Sequence, residues 1–249
     1  GFHLNFSDNS STTALGSDAA GSNDWQTHNM SIGSAVTPSS NFDCIAYTGT
    51  GSAQNITGLG FQPDLVVVKS RSGDGPPWVD SVRGADIALF SSSSTTEGTY
   101  GSVTAFLSNG FTVGSYNNAN QGSTNFIAWC WKAGGTASSN TDGTITSSVS
   151  ANAAYGFSIV TYTGNGTSPS TIGHGLNSAP GLIFVKNRDS TNNWAVYHSG
   201  LVDGSTVRYL RLNTTDAEVG GSGHWQNTVP TNSVFYVGND GQVNANGDD

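Results

Sequence analysis

Charged side chains are scarce, making up 10% of the 249 residues, where an average soluble chain has about a quarter. Glutamate occurs twice (Glu97, Glu218) and lysine three times (Lys69, Lys132, Lys186). These residue types fill helix surfaces, so their shortage excludes a helix-rich fold. No apolar run approaches the ~18 residues of a membrane span, which argues against membrane insertion. The eight basic residues are scattered in a chain of formal net charge −9. Phosphate backbones are repelled by such a surface, so no nucleic-acid partner is expected. Cysteine is limited to Cys44 and Cys130, a spacing that excludes a paired-cysteine metal or redox motif.

Gly, Ser, Thr and Asn together supply 119 residues. Such a composition can mark a disordered linker, but six Trp, eight Tyr and eleven Phe argue otherwise. They sit with Val, Ile and Leu in runs such as Leu65 to Val68, Phe126 to Trp131 and Leu182 to Val185. Short apolar and aromatic runs bounded by turn residues read as strand cores.

The strongest pattern is an internal repeat. Cys44-Ile45-Ala46-Tyr47-Thr48-Gly49-Thr50-Gly51 returns as Ile159-Val160-Thr161-Tyr162-Thr163-Gly164-Asn165-Gly166. Pro63-Asp64-Leu65-Val66-Val67-Val68-Lys69-Ser70-Arg71 returns as Pro180-Gly181-Leu182-Ile183-Phe184-Val185-Lys186-Asn187-Arg188, with Trp78 and Trp194 following. Gly110 to Gly114 matches Val234 to Gly238, and each leads into an Asn-rich loop. The chain is therefore read as all-β: tandem β-sandwich (jelly-roll-like) modules at 43–135 and 156–249, a linker at 136–155, and a short N-terminal β element at 1–42. Such a small N-terminal element is expected to pack on the first module, on a neighbouring chain, or on a further part of the protein. Asp80 to Leu89 is expected to be a loop with at most a helical turn, because Gly84 interrupts it.

The repeats differ in one respect. The first continues into the aromatic strand Phe126 to Trp131, whereas Asp248-Asp249 stands where the second would begin its own. We expect an unfilled strand position in the second module, beside the strand carrying Val234 and Tyr236. A further C-terminal segment or a partner chain would supply an aromatic strand there, because open apolar edges invite aggregation.

No pair of carboxylates stands out for glycoside hydrolysis. Glu97 and Glu218 lie in polar, turn-like surroundings and read as solvated. No nucleophile elbow or phosphate-cradling loop occurs, so no enzymatic activity is expected. The five His residues are spread singly, and His198 is expected to pack beside Val196 with its polar tip bonded. Asp18, Asn23 and Asp24, with Asp8 nearby, offer oxygen ligands of the kind Ca²⁺ takes, although Asp and Asn in tight turns also serve turn geometry alone. No cofactor is expected, with Ca²⁺ the one exception this set would hold. Cys44 and Cys130 lie on the first and last strands of the first module, where either a disulfide or two free thiols would fit. Tyr116, the one aromatic in the Asn-rich loops, is the candidate glycan-binding residue.

Several of these motifs carry a resemblance. Gly1-Phe2-His3-Leu4-Asn5-Phe6-Ser7-Asp8, Leu15-Gly16-Ser17-Asp18 and Gly21-Ser22-Asn23-Asp24-Trp25 resemble a segment of tail-fibre and other virion-associated proteins of tailed bacteriophages, notably those of marine bacteria and cyanobacteria. The Tyr-Thr-Gly-x-Gly repeat, Asp80 to Gly84, Gly110 to Gly114 and Phe126 to Gly135 are similar to a module repeated in such proteins. In that family the opening segment often adjoins a concanavalin A-like lectin domain, for which the short stretch between this segment and Cys44 leaves no room. The resemblance implies a virion, extracellular location and a structural and adhesion role. It also implies self-association, other virion proteins as partners and host surface glycan as a further one. A glycan depolymerase on the same appendage, and a capsid-decorating or filament-forming protein, are the alternatives.

Overall fold

The computed structural model of the protein describes residues 40–71 and 75–249. The N-terminal element and the Asp8, Asp18, Asn23 and Asp24 oxygen set lie outside them, apart from Ser40 to Phe42. The described fold is nearly all β, as the shortage of helix-forming residues requires.

The first repeat runs β1 (Phe42–Thr48), β2 (Gln54–Thr57), β3 (Leu65–Ser70), β4 (Pro77–Asp80), β5 (Ile87–Phe90), β6 (Gly98–Thr99), β7 (Val103–Leu107), β8 (Gly110–Val113), the single turn α1 (Asn117–Asn120) and β9 (Asn125–Trp131). Six strands form one antiparallel sheet in the order β1-β9-β3-β4-β5-β6, and three form the second, β2-β8-β7. Asp80 to Leu89 contains turns at 81–83 and then β5, with no helix. One core joins the two sheets. Val66, Val68, Val79, Ala128 and Cys130 from the larger meet Ile56, Val103, Phe111 and Val113 from the smaller.

β9 is inserted between β1 and β3, pairing Cys44 with Trp129 on one side and Val67 with Trp129 on the other. Asp43, not Cys44, lies opposite Cys130. Adjacent residues along a strand point to opposite faces. Cys44 is therefore exposed and Cys130 buried, and both are free. A disulfide is ruled out by this one-residue offset, although the strands pair as expected.

The stretch 136–155, expected as a linker, holds β10 (Ser138–Asn140) and β11 (Ser147–Asn152). β11 pairs with β12 (Phe157–Tyr162) along its full length. The serines that suggested a flexible connection serve as local anchors: Ser147 donates to the Gly173 carbonyl (3.0 Å) and Ser150 to that of Gly135 (2.7 Å).

The second repeat continues with β13 (Ser170–Gly173), β14 (Leu182–Val185), β15 (Ala195–His198), a 3-10 turn, β16 (Val202–Asp203), β17 (Thr206–Arg211), β18 (Val219–Gly220), the turn α2 (Ser222–Trp225), β19 (Val234–Val237) and the turn α3 (Gly241–Asn244). Here α2 replaces most of β7. Gly238 N–H bonds the His224 carbonyl (2.8 Å) just as Gly114 N–H bonds that of Ser102 (3.1 Å), and Trp225, 1% exposed, fills the core behind it.

The repeated sequence motifs have a shared physical meaning. Tyr47 donates its hydroxyl to the Ala119 carbonyl and Tyr162 to that of Val243, each at 2.6 Å. Buried Asn120 donates to the carbonyls of Ser52 and Gly114 (both 2.6 Å) and accepts from Thr50 N–H (2.9 Å). Asn244 does the same with Thr167 (2.9 Å), Gly238 (2.7 Å) and Asn165 N–H (2.9 Å). The intervening glycine is required by close approach: a Cβ on Gly49 would lie 2.2 Å from the Gln121 carbonyl oxygen, and one on Gly164 2.1 Å from that of Ala245. The Asn-rich loops are thus tied-down single turns.

Ser39–Asp249 form one compact unit, because the repeats share an interface. The equivalent residues Trp78 and Trp194 meet with ring centroids 5.3 Å apart, and Phe184 packs edge-on to Trp78 at 5.5 Å. Trp194, 4% exposed, donates its indole N–H to the carbonyls of Phe90 (2.9 Å) and Ser93 (3.2 Å) in the other repeat. Trp131 at the end of β9 stacks on Phe157 of β12 at 6.1 Å.

Candidate functional site

A cavity lies at this junction. It has a volume of about 470 Å³, with β12 and β14 as its walls and Phe235 and Val243 among its lining. Leu65, Trp78 and Trp131 of the first repeat line it as well. It occupies the position that β9 fills in the first repeat: there the order is β1-β9-β3, whereas β12 ends one sheet and β14 another, with no described strand between them. This corrects the expected location of the vacancy. It lies on the opposite sheet from β19, because the chain crosses the sandwich at the single turn that follows β8 in one repeat and β19 in the other.

One end of this slot is already formed. Asp249 takes the place of Asn125: Thr163 donates to its carboxylate (2.6 Å) as Thr48 does to the Asn125 side chain (3.1 Å). Arg188 N–H bonds the Asp249 carbonyl (2.7 Å) as Arg71 N–H bonds that of Asn125 (3.0 Å). Gly164 N–H bonds the Asp248 carbonyl as Gly49 N–H bonds that of Thr124, each at 2.8 Å. Beyond that point the ladders stop. Leu182 and Phe184 on β14 are 49% and 38% exposed, whereas their counterparts Leu65 and Val67, which face Trp131 and Trp129, are 8% and 5% exposed.

An ion network borders the slot. Glu97 accepts two bonds from Arg188 (both 2.8 Å) and one from Arg83 (3.4 Å). Arg83 also pairs with Asp80 at 2.6 Å, and Arg188 with Asp249 at 3.2 Å. Glu97 is thus a half-buried inter-repeat ion partner, not the solvated loop residue expected from its neighbours. Burial pushes its carboxyl up, but the bonds and charges of Arg188 and Arg83 outweigh that and hold it below the usual range. Lys186, 9% exposed, donates to the Asn187 and Ser190 carbonyls. Burial pushes its ammonium down to about 8, with Glu97 opposing. The role of Glu97 was not legible in the sequence, because its main partner Arg188 lies 91 residues away.

The other expected residues lie apart from the slot. Tyr116 is half-buried, packed against Tyr100 (5.3 Å) and Phe90 (6.0 Å), with its hydroxyl 3.4 Å from the Asn118 amide. Tyr100, 39% exposed, is its more accessible neighbour, a pairing that sequence order does not reveal. Glu218 is 3.7 Å from Arg208 near the surface. His198 is exposed and caps the 3-10 turn by accepting from Gly200 N–H (3.0 Å), so it does not pack as expected. The buried histidines are instead His174, bonded to Thr231 and Leu176, and His224, stacked on Tyr209 at 3.7 Å. Among the described residues, no three His, Cys, Asp or Glu side chains converge as a metal site, and no helix is long and apolar enough to cross a membrane.

Residues 37–249 match a family model described as Domain of unknown function (DUF7483), and the chain belongs to that family. No curated protein and no solved structure matches it.

Proposed function

We propose that this DUF7483 chain is a non-enzymatic structural and adhesion component of a phage virion, a tail fibre or related appendage, that self-associates and meets host surface glycan. The observation that carries the non-enzymatic reading is the state of its junction carboxylates. A glycosidase needs a carboxylic acid with a raised pKa to protonate the leaving oxygen. Glu97 beside the slot is instead held ionised by Arg188 and Arg83, and Asp80 is tied to Arg83. Two β repeats fused through aromatic and ionic contacts, under a surface rich in Ser, Thr, Asn and Gly, suit an appendage that must stay rigid outside a cell. The virion assignment itself rests on the resemblance of the sequence motifs.

For adhesion, the Tyr100 and Tyr116 rings beside Asn117 and Asn118 supply an aromatic face with amide donors, the chemistry that stacks on and bonds a sugar. Incubating host polysaccharide with the chain should release no new reducing ends, and an antibody against the chain should label virions. Reducing ends that disappear in Glu97→Gln would establish the depolymerase alternative, and unlabelled virions would remove the appendage reading. Tyr116→Ala should lower adsorption to host cells about tenfold, since stacking contacts are worth on the order of 1 kcal/mol or more. Unchanged adsorption would assign Tyr116 to packing alone.

A further inference from the structure

We infer that the slot between β12 and β14 is a strand acceptor, taking a peptide of the β9 type: about six residues, extended, apolar on both faces and free of proline. The first repeat is the template. In it β9 bonds both neighbours and places Phe126, Ala128 and Cys130 in the core while Ile127, Trp129 and Trp131 cover the outer face. The second repeat reproduces the walls, the floor and the entry bonds at Gly164, Arg188 and Asp249, and lacks only that strand among its described residues.

Three independent features make peptide the occupant rather than a small apolar molecule. Each wall is a strand with one edge unpaired among the described residues, so alternating N–H and C=O groups face the gap from both sides, which only another backbone can satisfy together. Leu182 and Phe184 are 49% and 38% exposed, whereas Leu65 and Val67, which stand opposite Trp131 and Trp129 of β9, are buried. Trp78, which lines the cavity, has a buried indole N–H without a partner. Laid in as β9 is in the first repeat, the peptide runs antiparallel to β12 and β14, toward Trp131 and Trp78. The exit is looser than in the first repeat. Asp64 there accepts from Ala133 N–H (2.8 Å) to hold the strand end, whereas Gly181 stands in its place in the second repeat.

The test uses the whole chain and a synthetic peptide of residues 126–132 carrying Cys130→Ser, since Asp248 and Asp249 already hold the places of Thr124 and Asn125. We expect saturable one-to-one binding, with slowed amide exchange in residues 157–163 and 182–188 together. The same peptide with Ala128→Pro should bind at least about tenfold more weakly, since proline removes a ladder donor from a central strand. Leu182→Ser with Phe184→Ser in the chain, both at exposed positions, should also weaken binding. Four results would overturn the inference: no saturation up to roughly 1 mM peptide, protection of only one wall, equal binding by the proline peptide, or edge amides already protected in the free chain. Protection that instead grows with chain concentration, and that the peptide cannot displace, would assign the slot to a second copy and likewise overturn it.

Discussion

At the residue scale, the most consequential side chains are the two buried asparagines. Asn120 and Asn244 each satisfy three backbone groups that no strand reaches. Removing a partner from a buried polar group costs about 1–3 kcal/mol, so Asn244→Ala should lower stability by on the order of 3 kcal/mol in urea unfolding, and Asn120→Ala similarly. Asn244→Asp should also destabilise, because a carboxylate cannot donate to the Gly238 and Thr167 carbonyls. His174 and His224 govern the pH response. Burial lowers both below their ordinary 6.5, against a backbone bond at His174 and the Asp240 charge at His224. The unfolded chain then binds protons that the folded chain refuses, so stability is full above about pH 6.5 and is lost as pH falls toward the lowered folded values. Thermal midpoints should drop between pH 7 and pH 5, and His224→Phe should flatten that drop. Glu97 acts lower on the scale: its depressed pKa contributes stability above the ordinary carboxylate value of 4.5 that disappears as pH falls through the folded one.

At the element scale, β9 and the entry at Asp249 explain why the first repeat has a closed sandwich and the second a slot. Gly49 and Gly164 matter here because the backbone at Gln121 and at Ala245 comes so close that neither position has room for a Cβ. Gly49→Ala should therefore push the Gln121 carbonyl away, misplace Asn125 and expose β9, read as faster amide exchange across residues 126–131. The same contact appears in the sequence as the repeated Tyr-Thr-Gly-x-Gly. Its purpose is visible only once Tyr47 is seen to bond Ala119, seventy-two residues away.

At the scale of the whole molecule, the two repeats behave as one body because their contacts are apolar at the centre and ionic at the border. Trp194 is almost fully buried against the first repeat, and truncating such a ring costs about 3–5 kcal/mol. Trp194→Ala should thus separate one cooperative unfolding transition of the repeats into two, resolved by exchange rates in 42–131 and 147–249. Glu97→Gln should weaken the junction less, since half-exposed ion pairs are screened by solvent and salt.

The sequence by itself determined the strand class, the two copies and their matching elements, because hydrophobic runs and turn residues act over a few positions. It also showed where the copies differ, because they can be compared residue by residue: the first runs on from its Asn-rich loop into Phe126 to Trp131, and Asp248-Asp249 stand at the matching point of the second. Tertiary structure alone decided that the vacancy lies between β12 and β14, and that Glu97 pairs with Arg188 across the repeats. It likewise decided that Cys44 and Cys130 face apart, and that the serine-rich stretch at 136–155 contributes β10 and β11. Each of these depends on register or on which sheet a chain crosses to, and those follow from backbone pairing between residues distant in sequence.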